Sequence, residues 1–115
     1  MQALREVLYE IRGEAVVITL NRPAQRNAIN NAVCDQLTQA FHLFDADPSL
    51  RVAILTGAGD RAFCAGRDLR EAAGGAQRLP LPVLGDTMHV GKPVIAAVNG
   101  SAVGGGWIFA QMCDL

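Results

Sequence analysis

Asn99-Gly100-Ser101-Ala102-Val103-Gly104-Gly105-Gly106 joins an apolar run, Val94-Ile95-Ala96-Ala97-Val98, to a helix-like run, Trp107-Ile108-Phe109-Ala110-Gln111-Met112-Cys113. Glycines at a helix start leave backbone N–H groups uncovered, with the positive end of the helix dipole behind them. Such a place suits an anion, either a bound phosphate or an oxyanion that develops during a reaction. The spacing disfavours a nucleotide loop. A G-x-G-x-x-G match begun at Gly104 and Gly106 meets Phe109 where the third glycine belongs. A Walker-type match between Gly85 and Gly91-Lys92 has one intervening residue too many, and Pro93 stands where Ser or Thr is required.

A second glycine junction lies upstream. The run Val52-Ala53-Ile54-Leu55-Thr56 leads into Gly57-Ala58-Gly59-Asp60 and then Ala62-Phe63-Cys64-Ala65-Gly66-Arg67-Asp68-Leu69. Two strand-then-glycine units, each contributing one N–H to a common point, would form an oxyanion hole. Taken singly, each glycine has a plainer explanation as a turn or a close backbone contact.

Together these segments resemble the enoyl-CoA hydratase/isomerase, or crotonase, family. The resemblance rests on Phe63-Cys64-Ala65-Gly66-Arg67-Asp68-Leu69, on Lys92-Pro93-Val94-Ile95-Ala96-Ala97-Val98-Asn99-Gly100, on the three glycines 104–106 and on Cys113-Asp114-Leu115. Leu20-Asn21-Arg22-Pro23 and Arg26-Asn27-Ala28-Ile29-Asn30 resemble the family's N-terminal signature, so the blocks run in the family's order along nearly the whole chain. The resemblance implies an α/β fold, a crotonase-like spiral of ββα units. Family members are roughly twice as long, which implies that residues 1–115 are the N-terminal portion of a single such domain, incomplete at its C-terminus.

The same resemblance implies chemistry. Family members bind acyl groups as coenzyme A thioesters and hold a thioester enolate with two backbone N–H groups. Carried over by position, the donors are Arg67 and Gly105, with Ala28, Ala65, Gly66, Asp68, Leu69 and Arg70 in the substrate-binding stretches. Arg67 would act through its main chain, its side chain being a solvated surface arginine. Arg70 and Arg26 either reach a phosphate, which suits a planar guanidinium, or are ordinary surface charges. Coenzyme A would enter as part of the substrate, with no separate cofactor and no metal. The full-length parent would be a homotrimer or a dimer of trimers.

One departure bears on the reaction. The family's hydratases use two glutamates to position water and deliver a proton. The first falls here at Ile108, which cannot titrate, and the second lies beyond Leu115. Asp68, Glu71, Asp86 and His89 are the nearby titratable alternatives, with Asp68 reading first as a helix cap. The leading expectation is an acyl-CoA-processing protein. The alternative is a truncated or degenerate member that keeps the CoA-binding scaffold without catalysis. These residues alone would then lack hydratase or isomerase activity.

The positioning elements follow from pattern. Val7–Arg12 and Val16–Leu20 read as strands joined by a turn at Gly13-Glu14. Asn30 or Asn31 caps a helix whose face is Val33, Leu37, Phe41 and Phe44, ending at Asp47-Pro48. The runs 52–56 and 94–98 are apolar enough for strands covered on both faces. Asp68–Ala73 suits a short helix, and the glycine- and proline-rich stretch 74–91 a loop. With 50% hydrophobic residues and a net charge of −1, the composition is globular and argues against nucleic acid or an anionic membrane surface as partner. No apolar run is long enough to span a bilayer. No signal pattern opens the chain, and Cys34, Cys64 and Cys113 read as reduced thiols of a cytoplasmic protein.

Overall fold

The computed structural model describes residues 2–75 and 77–115. Five strands form the main sheet: β1 (Gln2–Ala3), β2 (Val7–Arg12), β3 (Ala15–Leu20), β4 (Val52–Gly57) and β6 (Val94–Ala97), in the order β1-β2-β3-β4-β6. β2 and β3 pair antiparallel across the expected turn, where Gly13 has φ +62°. β3 pairs parallel with β4, and β4 parallel with β6. A second, two-stranded parallel sheet joins β5 (Ala62–Cys64) to β7 (Ser101–Ala102).

The described residues also form three α-helices, α1 (Asn31–Ala46), α2 (Leu69–Ala73) and α3 (Gly105–Met112), and a short 3-10 helix at Pro23–Gln25. α1 starts where Asn30 accepts a hydrogen bond from the Val33 N–H through its side chain, at 2.9 Å. Its buried face, Val33, Cys34, Leu37, Ala40, Phe41 and Phe44, packs on β2 and β3. The core between them holds Val7, Tyr9, Val16, Ile18, Leu20, Ala53 and Leu55.

Covering of the central strands is one-sided. Along β4, Ala53, Leu55 and Gly57 are buried while Val52, Ile54 and Thr56 are half-buried. Val98 is exposed beyond β6, as are Val103 and Trp107. Continuous apolar runs predicted two covered faces. Within this chain α1 and its neighbours supply only one. On the outer edge of β6, the Asp114 N–H donates to Val94 O at 2.8 Å and the Ala96 N–H to Leu115 O at 2.8 Å. The Asp114 carboxylate also accepts from the Val94 N–H at 2.8 Å.

Candidate active site

The two glycine junctions meet. β5 and β7 run side by side, and the Val103 N–H donates to Cys64 O at 3.1 Å, so the turns that leave these strands emerge together. A methyl group on Gly66 would lie 2.9 Å from Val103 O and 3.6 Å from the Gly105 nitrogen. Gly66 also has φ +91°, so both its conformation and its surroundings demand glycine. Gly106 has an even harder requirement, since a methyl group there would overlap Cys64 O.

Two N–H groups are left over at this meeting point. Ile29 and Arg67 form a parallel bridge in which the Ile29 N–H donates to Gly66 O at 2.7 Å and the Asp68 N–H to Ile29 O at 2.8 Å. In such a bridge the N–H of the bridged residue opposite points away from its partner. Gly105 is the first residue of α3, where no intrahelical acceptor exists. Among the described residues, neither the Arg67 nor the Gly105 N–H has an acceptor. Apolar side chains crowd the same point: a methyl group on Gly105 would lie 2.9 Å from Ile29 Cδ1 and 3.5 Å from Leu81 Cδ1.

Beside it opens a cleft of about 380 Å³ lined by Ala24, Gln25, Arg26, Ala28, Ala65, Arg67, Asp68, Leu69 and Arg70. Ala28, Ala65, Arg67, Asp68, Leu69 and Arg70, all expected from the sequence, therefore face one space, and Arg26 joins them. Leu69 is 77% exposed at this rim, an apolar surface held in water.

The Arg67 side chain differs from expectation. It is half-buried, and its guanidinium donates to Leu79 O at 2.6 Å and lies 3.8 Å from Cys34 Sγ. Asn31 holds the same stretch, accepting from the Leu79 N–H at 2.8 Å and donating to Gln77 O at 2.7 Å. The loop that carries Leu81 is thus tied to the residue whose N–H is free. Nothing in the local sequence marks this tie.

The titratable alternatives fall into two groups. Asp68 caps α2, its Oδ1 accepting from the N–H groups of Arg70 at 2.9 Å and Glu71 at 3.4 Å, while Oδ2 meets Arg22 Nη1 at 3.0 Å. Burial raises its pKa, but the hydrogen bonds from Arg22, Arg70 and Glu71 and the Arg22 charge outweigh burial and hold it below the usual carboxylate value. Glu71 accepts from the Asn31 N–H at 2.9 Å, at the start of α1. Both carboxylates are occupied with structure. Asp86 and His89 are exposed and absent from the cleft lining, His89 lining a separate cavity with Met112 and Asp114. Ile108, on the first turn of α3, is 38% exposed. No group of three or more His, Cys, Asp or Glu among the described residues is arranged to hold a metal. All three thiols are free, and burial raises the pKa of Cys64 and Cys113 to about 11.

The model of the family described as enoyl-CoA hydratase/isomerase matches residues 10–115. The chain belongs to that family. It is 37% identical to an (E)-benzylidenesuccinyl-CoA hydratase of Thauera aromatica over 115 residues, 95% of this chain and 45% of the relative. It is 44% identical to a carnitinyl-CoA dehydratase of Proteus mirabilis, over 90% of this chain and 42% of the relative. Among solved structures, a carnitinyl-CoA dehydratase from Mycobacterium avium superposes with a TM-score of 0.86 at 44% identity, covering 96% of this chain and 45% of that one. The family member's fold is therefore the crotonase fold expected from the motifs. The chain spans less than half the length of these relatives. No helix among the described residues is long and apolar enough to cross a membrane.

Proposed function

We propose that this chain binds a coenzyme A thioester and stabilises the enolate of its acyl group through the N–H groups of Arg67 and Gly105. The observation that carries the reading is the pair of acceptor-free N–H groups at adjoining glycine turns, one of them on a helix N-terminus. Negative charge developing on a thioester oxygen there meets fixed donors that need no reorganisation. The apolar ends of Ile29 and Leu81 wall one side of the spot, lowering the local polarity around those donors. The neighbouring cleft, with Arg26 and Arg70 on its wall, would take the nucleotide portion. The relatives named above carry CoA hydratase and dehydratase names, in keeping with this substrate class.

Proline at position 105 provides the test. Proline is tolerated at the first position of a helix, so it removes the donor while keeping α3. Gly105→Ala places carbon against the same neighbours and keeps the donor. In the protein carrying these residues, Gly105→Pro should lower turnover of a CoA thioester by ~100-fold or more, as for loss of an oxyanion-hole donor. Gly105→Ala should lose far less. Equal losses in the two variants, or normal turnover in a folded Gly105→Pro protein, would refute the assignment.

Ile108 favours a second reading, a member that binds the thioester without hydrating it. An aliphatic side chain on the first turn of α3 cannot activate water, and no carboxylate of the cleft is unoccupied. Binding of butyryl-CoA with no hydration of crotonyl-CoA in the complete protein would establish it. Assembly of the full-length parent as a homotrimer or a dimer of trimers, and a cytoplasmic compartment that keeps the thiols reduced, belong to the same proposal.

A further inference from the structure

Arg22 lies outside the cleft lining, yet one of its nitrogens touches both strands of the bridge that orients the Arg67 peptide. Nη1 donates to Ala28 O at 2.7 Å and to Asp68 Oδ2 at 3.0 Å. Ala28 immediately precedes Ile29, and Asp68 immediately follows Arg67, so Nη1 spans the Ile29–Arg67 bridge from the side. On its other edge, Nε lies 3.2 Å from Glu6 Oε2. The Arg22 and Asp68 side chains are only 13% and 11% exposed, so water competes weakly for these contacts.

From this we infer that Arg22 is a positioning residue for the Arg67 N–H. The Arg67 peptide is fixed through the neighbouring Gly66 O and Asp68 N–H, both bonded to Ile29. Arg22 then locks Asp68 to the segment that carries Ile29, so the bridge cannot twist without breaking a charged contact. The direction of the free N–H is set by a guanidinium that never meets the ligand. The inference rests on the reading of the Arg67 N–H as an oxyanion donor. A purely structural arginine would lower stability without changing this one amide.

Backbone amide NMR of the complete protein that carries these residues separates these possibilities. Without ligand, Arg22→Met should shift the Arg67 amide and speed its hydrogen exchange, while amides of β6 and of the C-terminal half of α1 stay unchanged. With butyryl-CoA as probe, the wild-type Arg67 and Gly105 amides should both respond. In Arg22→Met at saturation, the Gly105 response should persist and the Arg67 response should fall away. Affinity should drop ~10-fold or more, the equivalent of one charge-assisted hydrogen bond. Arg22→Lys should restore much of the Arg67 response, because a single nitrogen makes both bridging contacts. Should Arg22→Met not fold, Asp68→Asn, which keeps the helix cap and weakens only the Arg22 contact, should shift the Arg67 amide in the same direction. An unchanged Arg67 amide in the folded variants overturns the positioning role. Wild-type amides indifferent to butyryl-CoA would instead overturn the thioester reading, leaving the ligand-free comparison to decide the role of Arg22.

Discussion

Lys92 Nζ lies 2.6 Å from the carbonyl oxygen of Phe44 and 4.6 Å from the centroid of its ring. The same ammonium donates to Asp47 O at 2.7 Å and Leu50 O at 2.9 Å. A positive charge thus satisfies carbonyls at the C-terminal end of α1, where the helix dipole is negative. Lys92 directly precedes Pro93 and β6, so this clamp fixes the strand that leads to the site. Lys92→Met should destabilise the protein by about 2–3 kcal/mol, the scale of charged hydrogen bonds lost. Urea unfolding of Lys92→Met beside Lys92→Arg measures it, and a midpoint unchanged in Lys92→Met would show that water replaces the clamp at no cost.

Gly106 and Gly91 make a matched pair for testing close packing. A methyl group on Gly106 would overlap Cys64 O, whereas at Gly91 its nearest neighbour is Asp45 Oδ1 at 3.8 Å. Gly106→Ala should therefore cost about 1–3 kcal/mol or more through backbone displacement. Gly91→Ala should be close to neutral, or slightly stabilising through the unfolded chain. Thermal unfolding of both variants checks the contrast, and equal melting temperatures would mean that β5 and α3 can separate freely.

Asp68 gives the protein an acid limb of defined sign. Its folded pKa lies below the ordinary 3.8. The unfolded chain therefore takes up a proton first as pH falls. The contribution of this carboxylate is complete above about pH 5 and drains away as pH drops through its folded pKa. Asp68→Asn should lower stability by about 1–3 kcal/mol near neutrality. The gap to wild type should close towards pH 2. Urea midpoints measured across that range test it, and a gap that stays constant would mean the Arg22 contact contributes nothing through charge.

Ile108 should set the chemistry that the site can perform. The complete protein should hydrate crotonyl-CoA poorly, and Ile108→Glu should raise that rate if a second carboxylate faces the same oxygen. The comparison is a spectrophotometric assay of the two proteins. Efficient hydration by the unmodified protein would place the proton-transfer groups elsewhere.

Some of these features were legible in the sequence and others could not have been. α1 was readable because Asn30 and the spacing of Val33, Leu37, Phe41 and Phe44 are local signals, and local signals survive folding. The β2–β3 hairpin was readable for the same reason. β5 and β7 were not, since strands of three and two residues exist only because each supplies the other's hydrogen-bond partners. Arg22, Lys92 and the Arg67 guanidinium escaped reading on the same principle. Each is a charge whose partner lies far along the chain, and no spacing rule connects Arg22 with Asp68 or Lys92 with Phe44. Of the site itself, the glycine turns were visible, while the loop held by Arg67 and Asn31 was not.

The parallel pairing of β4 has a kinetic consequence. Its partners are residues 15–20 on one side and 94–97 on the other, both distant in sequence. Hairpins close in about 1–10 μs, so β2 and β3 can zip early, whereas long-range parallel contacts must first overcome loop-closure entropy. During synthesis the hairpin and α1 can form as soon as they emerge. Gly66, by contrast, must wait for Gly105 to be made before the turn it packs against exists. Within these residues the hairpin and α1 are thus built first, and the junction of the two glycine turns follows them.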